Sequence, residues 1–152
     1  MANKEETIQS LQYFVNDLSI LAMSHEIHDR IFNSQGFSKL GKKYIDHVTE
    51  EIELVGRFID RILDLGGCVK QENVPEYPVI YDIYEFLKKD LEISLKGLEI
   101  LNKYIDQTVL DHETFNLLKD YFLDEKGDKA WTEQQLELID RLGIKNYLLS
   151  QL

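Results

Sequence analysis

The chain has 152 residues, 43% of them hydrophobic, which suits one globular domain spanning 1–152 with a proper core and leaves too little for two. Acidic residues outnumber basic ones 28 to 17 for a formal charge of −11, and the basic residues are scattered, so nucleic-acid binding, which needs clustered Lys and Arg, is disfavoured and cations become the favoured partner class. No stretch approaches the roughly 18 apolar residues of a membrane span, the single Cys68 cannot form an internal disulfide, and no signal-like apolar run follows "MANKEE", so a cytoplasmic protein is expected.

In chain order, Ile8, Leu11, Val15, Leu18, Ala22, His25 and Phe32 fall on one three-four seam and predict a first long helix, closed by turn residues at 34–38. A second seam runs through Tyr44, Val48, Glu51, Val55, Phe58, Ile62 and Leu65 and stops at "GGC". The connection 66–78 holds both prolines, Pro75 and Pro78, and is long enough to cross the domain, so that helices two and three run parallel. A third seam takes Ile80, Ile83, Leu87, Asp90, Ser94, Gly97, Leu101 and Tyr104. After a second turn at 109–111, Asp111 is a plausible cap for a fourth helix through Phe115, Leu118, Phe122, Glu125, Leu136 and Ile139, which ends near Gly143. "IKNYLL" then forms a short terminal helix. The sum is all-α: a four-helix bundle with one long crossover and a short fifth helix.

Two carboxylates sit where the helices bury their core faces, Glu51 on helix two and Glu125 on helix four. Burying an ionised carboxylate costs several kcal/mol unless it is answered, so the pair calls for a cation, a shared proton or a paired base. The bland alternatives are that Glu125 leans toward Lys129 one turn on and that Glu51 reaches solvent. His25 also falls in a seam, where antiparallel packing would set it near Tyr44 or His47; a lone seam histidine is more often a hydrogen-bonded core residue than a ligand. Asp46 and Glu50 form an i, i+4 carboxylate pair on the other face of helix two. From pattern alone, the charged run Asp124 to Lys129 around Gly127 reads equally as a loop or as mid-helix.

The phrases "DRILDLGG" and "KDLE", and the tail from Trp131 onward, with "WTEQQLELIDRLGIKNYLLSQ", resemble bacterioferritin, and the likeness extends from about Leu11 to the C-terminus. The resemblance implies a ferritin-like bundle that pairs into dimers and closes into a hollow cage of two dozen subunits, and it places "LDEKGDK" within helix four. It further implies a pair of irons inside each bundle, held by one Glu of helix one, a Glu-x-x-His of helix two, one Glu of helix three and a Glu-x-x-His of helix four.

This sequence departs from that set. The corresponding positions hold Leu18 on helix one, Glu51 with Leu54 on helix two, Ser94 on helix three, and Glu125 with Asp128 on helix four. A di-iron oxidase centre is therefore not expected, although Glu51, Glu125 and Asp128 are candidates to hold one divalent ion weakly. Ile52 stands where the family places a haem-ligating methionine, and Ile has no lone pair for iron, so no bis-methionine haem is expected. Asp46 and Glu50 match a metal-binding pair that the family carries on the inner wall of the cage. His28 matches a family histidine remote from the oxidase centre and is given no catalytic role.

Three expectations follow. The first is an iron-storing cage subunit that lacks its own oxidase activity, whether alone or co-assembled with an active subunit. The second is an oxidase with a one-metal site rebuilt around Glu51, Glu125 and Asp128, with His25 or His47. A DNA-protecting miniferritin ranks last, because neither its ligand spacing nor a basic tail is found.

Overall fold

The computed structural model describes residues 3–107 and 111–152 of the chain. Helix α1 (Lys4–Ser34) opens on a reciprocal cap in which Asn3 Oδ1 accepts the Glu6 backbone N–H at 2.8 Å and the Glu6 carboxylate accepts that of Asn3. It closes where Gly36, at φ 92°, lets the Phe37 N–H reach back to the Phe32 carbonyl at 2.9 Å. Helix α2 (Ser38–Asp64) ends in the same way: Gly66 takes φ 79° and the Gly67 N–H returns to the Ile62 carbonyl at 2.9 Å. The two glycines thus stop both long helices where positive φ is needed and a side chain would be strained.

The crossover travels back along α1. Gln12 exchanges two hydrogen bonds with the Lys70 backbone, Asn16 bonds Glu72, the Ile80 N–H is accepted by His28 Nε2 at 3.0 Å, and Gln35 donates to the Tyr81 carbonyl. Since α2 runs antiparallel to α1 and the connection returns over α1's length, α3 (Ile83–Gln107) starts beside the end of α1 and runs parallel to α2. Helix α3 begins at Ile83, capped by the Asp82 carboxylate on the Glu85 N–H, so Ile80 belongs to the connection and not to the helix. Apart from Asp111, the expected turn at 109–111 lies outside the described residues.

Helix α4 (His112–Leu142) starts at Asp111, whose carboxylate accepts the Thr114 N–H at 2.9 Å, and it passes through Gly127 without interruption. Arg61 ties this end to α2 through Asp111, Glu113 and Thr114. The short α5 (Ile144–Leu149) inserts Tyr147, fully buried, whose hydroxyl donates to Gln135. No helix among the described residues is long and apolar enough to cross a membrane.

The core has two apolar clusters. One holds Leu11, Phe14, Leu18, Leu54, Phe58, Leu101, Leu118 and Tyr121; the other holds Phe32, Tyr44, Phe86, Leu87, Ile139 and Tyr147. Each large side chain buried here contributes about 1.5 to 3 kcal/mol of hydrophobic free energy. On α2 the buried line is Leu40, Tyr44, His47, Glu51, Leu54, Phe58 and Ile62, with Val48 and Val55 at its margin, so the helix is turned slightly from the expected seam. On α4, Leu117 and Leu118 face inward, whereas Phe115 is 41% exposed and does not join the core. Between the two clusters, at mid-bundle, lies a layer of polar side chains.

Candidate functional site

Every long helix contributes to that layer: His25 from α1, His47 and Glu51 from α2, Asp90 and Ser94 from α3, Glu125 and Asp128 from α4. His25 takes the centre. Its Nδ1 lies 2.5 Å from Glu51 Oε1 and its Nε2 lies 2.9 Å from Asp90 Oδ1. An imidazole held by carboxylates at both nitrogens must carry a hydrogen on each, which makes it an imidazolium. Burial works against that charge, but Glu51 and Asp90 outweigh it and hold the His25 pKa well above the ordinary histidine range. Burial also pushes the Asp90 carboxyl upward, yet contact with His25 and the hydrogen bond from the Tyr44 hydroxyl at 3.0 Å leave it below the ordinary value. Glu51, at 5% exposure, is raised by burial and pulled back by His25.

The other half of the layer is less settled. The ring of His47 packs 5.6 Å from that of His25, and its pKa falls to about 4, first by burial and then by repulsion from the His25 charge. Its Nε2 is buried without a hydrogen-bond partner, 3.5 Å from Asp128 Oδ1. Burial and then the neighbouring acids Asp124 and Glu125 push Asp128 to about 8. Burial likewise lifts Glu125 to about 7, against the pull of a hydrogen bond from the Ser94 hydroxyl. Glu51 Oε2 has no partner either. Toward solvent, burial and then the neighbouring Asp124 charge raise the Glu50 carboxyl, and burial raises that of Asp124.

The structure thus gathers Glu51, Glu125 and Asp128 around one chamber of about 10 Å³, which is room for a single water. Asp46 stands apart, paired with Lys42 at 2.8 Å, while Glu50 turns toward Asp124 and Asp128. His25 meets both partners expected from the packing, Tyr44 and His47, and is a hydrogen-bonded core residue. Leu18 and Leu54 are packed into the first apolar cluster, at 1% and 6% exposure. Ile52 is an exposed apolar residue on α2. Two acids in or beside this layer, Asp90 and Asp124, are not among the candidates read from the sequence. Asp90 carried a signal, an acid at core spacing between Leu87 and Ser94. Asp124 carried none, because an acid beside the seam looks like any solvated residue.

Comparison with known proteins agrees with the bundle. Residues 8–142 match the ferritin-like domain family. Bacterial ferritin of Neisseria meningitidis serogroup B is 35% identical over 129 residues, covering 83% of each chain. Bacterial ferritin of Pseudomonas aeruginosa is 32% identical over 134 residues with the same coverage, and bacterioferritin of Brucella melitensis is 25% identical over 123 residues, covering 80% of this chain and 76% of its own.

Proposed function

This chain belongs to the ferritin-like family, on its bacterioferritin side, and from that premise we propose that it is an iron-storage cage subunit without oxidase activity of its own. The observation that carries the reading is the His25 clasp. A dinuclear centre needs open space and ligands free to bind, whereas here the interior carboxylates Glu51 and Asp90 are held by an imidazolium that supplies the positive charge iron would otherwise bring. Leu18 and Leu54 offer no donor atoms, and Ser94 offers a hydroxyl and no carboxylate. The residues present do not fit a pair of irons, and a haem held by methionine sulfur has no ligand at Ile52.

Iron, as cargo, meets this subunit on its acidic faces. Asp46 and Glu50 are candidates for a lumen wall that concentrates ferrous ion, with oxidation left to solution or to an active subunit in a mixed cage. The subunit would work in the cytoplasm, as a closed homo-oligomer or as part of such a mixture. Light scattering of the purified chain, followed by slow delivery of Fe(II) in air, tests this reading. The expected result is a large closed assembly that retains ferric iron through gel filtration; a monomer or dimer that retains none would sink it.

A second reading, a one-metal oxidase, is favoured by one observation: Glu51, Glu125 and Asp128 line the same chamber and Glu51 Oε2 has no partner. Glu51→Gln and Glu125→Gln separate the two. Under the second reading they abolish iron oxidation, and under the first they leave it at the uncatalysed rate.

A further inference from the structure

We propose that the crossover segment 77–80 is an acid-released cover over the outer side of the His25 clasp, latched by the neutral ring of His28 and freed when that ring takes a second proton. His28 is 1% exposed and stands one turn after His25 on α1. Its Nδ1 lies 2.7 Å from the Ser24 carbonyl oxygen, and the Ile80 N–H reaches its Nε2 at 3.0 Å. A carbonyl oxygen only accepts and a backbone N–H only donates, so Nδ1 carries the ring hydrogen and Nε2 carries none. Only the neutral ring makes this latch.

The latch closes a crevice that leads to the clasp. Between α1, α3 and the crossover lies a space of about 10 Å³, the size of one water, walled by His25, His28, Tyr77, Ile80, Phe86 and Asp90. His25 and Asp90 also line the polar chamber, so crevice and chamber meet at the His25–Asp90 pair. The His28 ring stacks on Phe86 with centroids 4.1 Å apart, which joins α1, the crossover and α3 at one side chain. Of the other polar ties between the crossover and α1, those of Gln12 and Gln35 use amides, which do not titrate, and that of Asn16 ends on the exposed Glu72.

A second proton on His28 would set an N–H on Nε2 against the Ile80 N–H, two donors with no acceptor between them. It would also put another cation one turn from the His25 imidazolium. Burial resists that proton most; the Ser24 carbonyl favours it, His25 resists it and Asp90 favours it, and the balance falls below the ordinary value of 6.5. The titratable groups that line the crevice from α3 and the crossover, besides Asp90, are Lys89 and Tyr77. Lys89 is paired with Glu92 at 3.5 Å, and burial pushes the Tyr77 hydroxyl up to about 12, so it stays neutral. Release of the crossover lets His28 titrate at its ordinary value. Acid therefore favours the open form, from about pH 6.5 downward until the latched ring itself is protonated.

The latch does not rest on the proposed lack of oxidase activity, because it is read without iron. Hydrogen exchange of the full-length, metal-free protein is followed at the Ile80 amide and corrected for the intrinsic pH dependence of exchange. Between about pH 7.5 and pH 5.5 the protection of Ile80 should fall by about threefold to tenfold, with no such fall at amides in mid-α2. His28→Gln keeps an acceptor without a charge, and His28→Phe removes the acceptor. In either variant the fall should vanish, so whichever folds decides. Protection of Ile80 that does not change with pH in the parent protein overturns the latch, as does a fall kept in full by the variant or matched in mid-α2.

Discussion

Two histidines stand 5.6 Å apart in the same polar layer, and their surroundings could hardly differ more. His25 has a carboxylate at each nitrogen and holds its proton tightly, whereas His47 is without a hydrogen-bond partner at Nε2 and lies beside Asp128, one of several acids that form no ion pair with Lys or Arg among the described residues. Around His25 the bundle supplies its own cation, to Glu51 and Asp90; toward α4 it gives Glu125 and Asp128 no such partner. A polar layer in a bundle interior therefore need not be balanced in one way throughout. The carboxylates that remain must still be compensated, and here one half is compensated from within and the other is left to the environment.

The sharpest way to break this contrast is to remove the internal cation. His25→Leu leaves Glu51 and Asp90 buried without their counter-charge, which should cost about 3 to 5 kcal/mol in chemical denaturation. Adding Glu51→Gln and Asp90→Asn to that variant should recover much of the loss. If His25→Leu alone is neutral, the clasp is not what holds the layer together. A smaller effect is expected from Tyr44→Phe, which deprives Asp90 Oδ2 of its buried hydroxyl donor. A loss of about 1 to 3 kcal/mol is predicted by the same denaturation measurement.

On the unanswered side the effect is graded with pH. Glu125 and Asp128 titrate in the folded chain at about 7 and about 8, against ordinary values of 4.5 and 3.8. The folded state therefore holds more protons than the unfolded one between those limits. Stability contributed by these groups falls as pH rises from the unfolded to the folded value, and it levels off above about 8. Denaturation midpoints of metal-free protein should drop between about pH 5 and pH 8.5, and Asp128→Asn should flatten the drop. The smallest effect belongs to Asp46→Asn. Its exposed pair with Lys42 should be thermally silent, and a clear loss of stability would mean that this face is buried in the assembly.

Much of this fold was legible in the residues, because long helices announce themselves by seam periodicity and stop at glycine. Gly36 and Gly66 mark both stops, and Asp111 caps α4 as expected. The errors are rotational. Glu51 points inward as its spacing predicts, but the seam expected through Val48 and Val55 belongs to His47 and Leu54, since three-four spacing tolerates a twist of a fraction of a turn. The expected line of α4 runs through Phe115 and Leu118; Leu118 is buried, together with Leu117, whereas Phe115 is not. At the site, the inward acids and His25 could be read, but not their pairing. Asp90 and Glu51 lie 65 and 26 residues from His25, and only packing brings them to one ring.

The proposed imidazolium clasp closes the bundle interior to paired-iron chemistry. Stopped-flow addition of Fe(II) in air to assembled metal-free protein, read as ferric absorbance against a buffer blank, tests it most directly. A time course that follows the blank is the predicted result. Fast oxidation that saturates at a fixed number of irons per chain would show a working oxidase centre and contradict the account.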